Sequence, residues 1–314
     1  MFILEKSLTY ARYQAIAYLK PESAQGLYDN AELISRSLAG IRKNGLVKRL
    51  ESSFYAFQVS LYNFCQANQN MIDMFERDKV FIAPDLDINM LLESGLSDEE
   101  IEEKLNAKAE DNPKNAVFAA ADFKPEFIEM LHNDQDILEK LCTEWTDITD
   151  EDDSKFVKFE ELLKHEFFKT ERNPEKKLVV FSESVDTVEY LARRINRKDV
   201  LVISADNRSK QFKTIRENFD ANYKTKMNDY NIILTTDVLA EGVNLHRANV
   251  IVNYDTPWNS TRLMQRIGRV NRIGSVATNI YNYMFYPSQQ GDKEIQLYKN
   301  ALVKLQGFHS AFGE

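Results

Sequence analysis

NIILTTDVLAEGVNLHRANVIVNYDTPWNSTRLMQRIGRVNRIGS, residues 231–275, decides how the chain reads. An apolar run at Ile232–Leu234 meets a Thr-Thr-Asp turn, and a loop containing Gly242 follows. A second apolar run, Val250–Val252, closes on Asp255, and a segment dense in arginine comes next. Short apolar runs bounded by turn residues read as strands buried on both faces. Arg266, Arg269 and Arg272 recur three apart. On a helix they lie close to one face, about 60° of rotation from one to the next. Such a row repels itself unless an anion sits opposite, and planar guanidinium forks suit a polyphosphate. Spacing alone leaves a solvated basic face equally open.

Working outward, the pattern changes at Lys176. KKLVVFS (176–182), DVLVIS (199–204), YNIILTT (230–236), VIVNYD (250–255) and IYNYMFY (280–286) read as five strands, with helices over 184–197 and 207–222 between the first three. Strands and helices alternating at this spacing predict a parallel sheet with right-handed crossovers. The division expected is a helical region over 1–174, an α/β domain over 175–290 and a C-terminal helix over 291–314. In the first region the pattern predicts helices over 1–20 and 29–43, the latter stopping at Asn44–Gly45. A long helix then runs from Leu46 to about Asp78, with Phe54, Phe57, Leu61 and Phe64 on its apolar face. Ser97 and Glu100 form a capping box. Two more helices are expected over 124–147 and 153–169.

Charge divides the chain in the same place. The 314 residues carry a net charge of −9, yet residues 175–314 hold 20 Lys and Arg against 15 Asp and Glu, and residues 1–174 hold 20 against 34. A nucleic-acid surface should therefore draw on the C-terminal part. No run is long and apolar enough to span a membrane, the N-terminus lacks a signal-peptide pattern, and the setting reads as cytoplasmic. Cys65 and Cys142 are far apart, with no ligand spacing, and read as buried apolar residues. The four histidines are scattered and no metal site is expected.

In open α/β sheets ligands gather at the carboxyl ends of the strands. Ser182 and Glu183 end the first strand, Thr235, Thr236 and Asp237 the third, with Gly242 and Asn244 close behind, and Asp255 the fourth. Hydroxyls and amides there can donate to phosphate oxygens, and Gly242 lets the backbone approach a ligand.

These stretches resemble the second RecA-like lobe of superfamily-two helicases. VVFSESVDTVEYLARRI (179–195) is similar to motif IV, TTDVLAEGVNL (235–245) to motif V and QRIGRVNRIG (265–274) to motif VI. RVNRIGS, preceded by YDTPWNSTRLMQR, is similar to Swi/Snf-type ATPases, bacterial members above all. KRLESSFYAF (48–57) looks like the segment preceding that lobe in bacterial relatives. The resemblance covers about residues 176–291. It implies that Arg269 and Arg272 reach the γ-phosphate of ATP as arginine fingers. Gly242, Asn244 and Gln265 then belong to the nucleotide side, Asn244 standing where many helicases carry Asp. Ser182, Thr235 and Thr236 match positions on the nucleic-acid backbone track, and Arg266 reads as structural, pairing with an acid.

An engine of this kind also needs GxxxxGK[ST] and an acidic motif at a strand end. Neither occurs in the sequence. The expectation is therefore the C-terminal half of an ATP-dependent DNA helicase or translocase, inactive alone. ATP with Mg²⁺ would be bound mainly by a first RecA-like lobe, with double-stranded DNA as the nucleic acid. Arg269 and Arg272 should then face open solvent. A non-catalytic nucleic-acid or protein-binding module that keeps the lobe fold is the alternative.

Overall fold

The computed structural model describes residues 4, 7–24, 30–94, 96–239, 242–257, 260–272, 274–289 and 291–292. The chain gathers into two units, Met1–Leu46 with Gln58–Ile148, and Val47–Phe57 with Thr149–Glu314.

After a single helical turn, α1 (Pro21–Ala24), the chain forms α2 (Ala31–Ser52) and α3 (Phe54–Glu76). The stop expected at Asn44–Gly45 does not occur. A glycine inside a helix costs only about 1 kcal/mol relative to Ala, and α2 runs through it. The break falls instead at Ser53, whose hydroxyl accepts the Ala56 amide and so caps α3. The long helix expected over 46–78 is thus two helices. The helix expected over 1–20 is also corrected. Ala11–Ala17 is a 3-10 segment entered through Tyr10 at φ 56. The reason is Asp134, whose carboxylate accepts the Thr9 and Ala11 amides at 2.7 and 2.9 Å.

β1 (Val80–Ile82) and β2 (Ala116–Phe118) pair antiparallel. The sequence reading missed them, because three residues hold too few alternations to register as a strand. Between them lie α4 (Ile88–Glu93) and α5 (Asp98–Ala109), and α5 opens with the expected box: Ser97 Oγ accepts the Glu100 amide and Glu100 accepts the Ser97 amide. α6 (Pro125–Thr146) supplies Phe127 and Leu131 to a core that also holds Val80, Phe81, Ile101, Leu105 and Phe123. Phe123 and Phe127 stack with centroids 5.4 Å apart.

The second unit is built on a five-stranded sheet of β3 (Leu178–Phe181), β4 (Val200–Ile203), β5 (Ile232–Thr235), β6 (Val250–Asn253) and β7 (Tyr281–Met284). Its order is β4-β5-β3-β6-β7 and every pairing is parallel. All five strands lie within the stretches predicted. β3, β5 and β6 are buried at every position, as central strands covered on both faces must be. α8 (Val185–Arg194) and α9 (Arg208–Phe219) are the two predicted crossover helices, and α10 (Ser260–Val270) carries the arginine-rich segment. One face of the sheet packs Leu178, Val180, Ile232 and Val252 with Val188 and Leu191. The other packs Val179, Phe181, Ile233 and Ile251 with Ile215, Phe219, Leu245 and Val270.

α7 (Ser154–His165) places Phe156, Phe159 and Leu163 in the first of those faces. Its spacing of three and four residues makes one apolar stripe, which groups α7 with the sheet. The compact unit that holds the sheet accordingly takes in Val47–Phe57 and Thr149–Glu314. The helix expected over 291–314 falls outside the described residues beyond Asp292. No described helix is long and apolar enough to cross a membrane.

Candidate functional site

Parallel strands β3, β5 and β6 end at one edge, so the residues following them share it. Asp255 is the hub at the β3–β6 corner. Its carboxylate accepts the Ser182 hydroxyl, the Ser52 hydroxyl at 3.0 Å and the Glu183 amide at 3.0 Å, and pairs with Lys155 Nζ at 3.0 Å. Burial opposes the charge on Asp255. Lys155 and these donors outweigh it, holding the carboxyl below the usual range. Lys155 also donates to the Glu51 and Ser52 carbonyls, the C-terminal end of α2, and lies 4.4 Å from the Tyr254 ring centroid. Ser52 and Ser53 share the Thr187 hydroxyl at 2.6 and 2.9 Å. The KRLESS segment therefore packs on the strand ends through hydroxyls and one lysine.

Ser182 and Thr235 are both fully buried. Ser182 donates to Asp255, and Thr235 Oγ1 donates to the Ile203 carbonyl at 3.1 Å. Of the three expected track hydroxyls, only Thr236 sits at a partly exposed position. Next to it, Asp237 accepts Arg266 Nε at 2.7 Å and Arg262 at 2.9 Å. Arg266 is 0% exposed, donates to Asn253 Oδ1 at 2.9 Å and lies over the Phe181 ring. Its reading as a structural arginine paired with an acid holds.

The three arginines do not share a face. α10 stops at Val270, where Ser275 Oγ donates to the Val270 carbonyl at 2.7 Å and accepts the Arg272 amide at 3.0 Å, and Gly274 turns the chain at φ +94. Arg266 points inward, Arg269 is half-buried, and Arg272 leaves the helix exposed. The expectation of open solvent around both finger candidates therefore holds for Arg272 and is corrected for Arg269. Arg272 donates to Asn244 Oδ1 and to the Gly268 carbonyl. The Leu245 amide donates to the Arg269 carbonyl at 2.9 Å. The Gly242–Leu245 loop and the end of α10 thus form one clasp, joining Asn244 to Arg272. Gln265 is half-buried on the same helix.

Gly242 sits at φ +80, and a Cβ there would come within 2.6 Å of Arg208 NH2. Arg208, the first residue of α9, is an element of this corner that the sequence reading missed. Nothing in the local pattern signals it, because the approach is made across the sheet edge. Arg247 was missed in the same way. It is buried, pairs with Glu175 at 3.0 Å and donates to the Asn218 and Met227 carbonyls, clamping the loop that follows α9.

Residues 154–274 match the helicase conserved C-terminal domain, beginning at the first residue of α7. This stretch is a helicase C-terminal domain, the class implied by the motifs at 235–245 and 265–274. The chain is 30% identical over 103 residues to the probable ATP-dependent RNA helicase ddx51 of Dictyostelium discoideum, covering 32% of this chain and 18% of that protein. It is 46% identical over 52 residues to the uncharacterized ATP-dependent helicase YqhH of Bacillus subtilis, covering 16% of this chain and 9% of that protein. The chain thus spans less than a fifth of either relative. The crystal structure of the C-terminal part of the Fun30 ATPase domain aligns over 95% of this chain and 86% of that chain, at TM-score 0.37 and 18% identity.

Proposed function

We propose that this chain is the second RecA-like lobe of a Swi/Snf-type DNA translocase or helicase of bacterial type, acting in the cytoplasm with a first lobe that carries the phosphate-binding and acidic motifs. The observation that carries this reading is the clasp of Asn244 and Arg272 beside the exposed, positive-φ Gly242. It sets a permanent cation and one exposed glycine, with the Arg208 guanidinium beside it, at one end of a parallel sheet, a combination suited to the edge of a polyphosphate.

ATP with Mg²⁺ is the cofactor assigned, held mainly by the first lobe, and it supplies the energy of phosphoryl transfer. On this side Arg272 and Arg269 present guanidinium charge toward the γ-phosphate, which lowers the cost of charge building there. Gln265, Gly242 and Asn244 line the same side. Thr236 offers its hydroxyl to the nucleic-acid backbone. Ser182 and Thr235, with hydroxyls turned inward, shape the strand ends that form the track. Double-stranded DNA is the proposed nucleic acid, on the strength of RVNRIGS and YDTPWNSTRLMQR.

The test uses a protein containing both lobes. Arg272→Ala and Arg269→Ala each lower DNA-stimulated ATP hydrolysis by about 10³-fold or more while leaving DNA binding intact. ATP turnover by this chain alone, lost on Arg269→Ala, overturns the need for a first lobe. Stimulation by RNA and not by duplex DNA overturns the choice of nucleic acid. DNA binding that ignores nucleotide, in a protein without turnover, points to the non-catalytic module.

A further inference from the structure

Cys65 on α3 and Cys142 on α6 look unrelated in sequence. The helices bring them together. Gln58 Nε2 donates to the Trp145 carbonyl at 2.9 Å, and Asn68 Nδ2 donates to the Leu131 carbonyl at 2.9 Å and to Gln135 Oε1 at 3.0 Å. Numbers rise along one helix as they fall along the other, so α3 and α6 run antiparallel. Cys65, between Gln58 and Asn68, must then face the stretch between Gln135 and Trp145, where Cys142 lies. Gln135 Nε2 donates to Cys65 Sγ at 3.3 Å, and each thiol lies near enough to bear on the charge of the other. Both cysteines are free and half-buried.

We propose that Cys65 and Cys142 form a thiol–disulfide exchange site, which a low-molecular-weight disulfide such as oxidised glutathione converts to an intrachain disulfide stapling α3 to α6. The Cys65 thiolate attacks one sulfur of the small disulfide, forming a mixed disulfide and releasing one thiolate. Cys142, its proton lost to solvent, attacks Cys65 Sγ and displaces the second. The protein dithiol is oxidised, the small disulfide is reduced to two thiols, and no other reagent is consumed.

The surroundings set the order of attack. Burial pushes the Cys65 thiol up, and the Gln135 amide proton only partly offsets that. Burial, with Cys65 and the Glu139 carboxylate adding to it, pushes Cys142 up to about 11. Exchange is therefore slow at neutral pH and rises steeply with alkalinity. The bond, once made, closes a long loop of the first unit and restricts its unfolded chain.

The test is to incubate the folded chain with oxidised glutathione and digest it without reductant. The expected product is one cross-linked peptide pair containing Cys65 and Cys142, with the intact protein lighter by two hydrogens. Its formation rate should climb about tenfold per unit from about pH 7 to about pH 9, since only thiolate attacks. Oxidation should also raise the thermal midpoint, a shift missing in Cys65→Ser and Cys142→Ser. Two stable glutathione adducts without a cross-link would overturn the site. So would thiols that react only in denaturant, or a disulfide joining two copies of the chain.

Discussion

Arg266 shows what a single residue of the arginine row can be asked to do. It is the largest fully buried side chain in the molecule's described part, and its charge is met by Asp237 and Asn253. Removing one partner of a buried ion pair strands the other charge and costs about 3–5 kcal/mol. Asp237 keeps Arg262, so Arg266→Ala should lower the free energy of unfolding by about 3 kcal/mol, the lower end of that range, read from urea denaturation, while the exposed Arg272→Ala leaves it within about 0.5 kcal/mol. Equal effects from the two would mean that the row is solvated after all. Spacing could not assign these roles, since all three arginines fit the same pattern. The strand-end aspartate at 237 was visible as part of the motif. The resemblance already set Arg266 apart as structural, and that Asp237 is the acid it pairs with became visible only in the fold.

At the scale of elements, the decisive feature is where α10 stops. Its end at Val270 puts Arg272 on the turn beside Asn244, held by Ser275 and by Gly274 at φ +94. An L-residue in that conformation is strained by about 1–2 kcal/mol, while the added Cβ would meet the Asn222 side chain at 3.4 Å, an ordinary contact, so the cost lies in the backbone. Gly274→Ala is expected to destabilise the fold by about 1–2 kcal/mol and to loosen the Arg272–Asn244 contact. A change in the Asn244 side-chain amide resonances would report that loosening, and unchanged resonances would refute it. Strands and crossover helices were legible because each repeats its period long enough to count. The α2–α3 junction at Ser53, the short β1–β2 pair and the 3-10 segment after Tyr10 were not, since each depends on a partner distant in sequence, such as Thr187 or Asp134.

At the scale of the whole molecule, two buried charges shape how stability follows pH. Lys177, 0% exposed and donating to the Tyr230 carbonyl and Asn231 Oδ1, is pushed down by burial, with Arg247 adding to it, to about 8. Between about 8 and the ordinary 10.5 the unfolded chain holds a proton there that the folded one has released. Stability should therefore rise with pH over that window, and Lys177→Met should lack the rise in denaturant midpoints. Asp255 acts at the other end. Its folded value lies below the usual one, so its contribution is complete above the unfolded value, near 3.9, and is lost as pH falls through the folded value. Asp255→Asn should flatten the acid limb below about pH 4 and lower stability at neutral pH, because Lys155 then lacks its carboxylate. An unchanged acid limb would show that the Lys155–Asp255 pair contributes nothing.

The sequence by itself determined the parallel α/β sheet, the five strands and the edge where polar residues collect. These follow from apolar periodicity and turn chemistry, which are local properties that a linear reading can count. It also pointed to a helicase C-terminal domain over 154–274, since stretches similar to motifs V and VI occur in order, the first after a strand and the second on a helix. Only the tertiary structure decided which acid meets Arg266, which hydroxyls turn inward and which helix joins the sheet. The same holds for the meeting of Cys65 and Cys142. Each of these outcomes rests on desolvation and pairing between residues distant in the chain, and neither leaves a period or a spacing for the sequence to show.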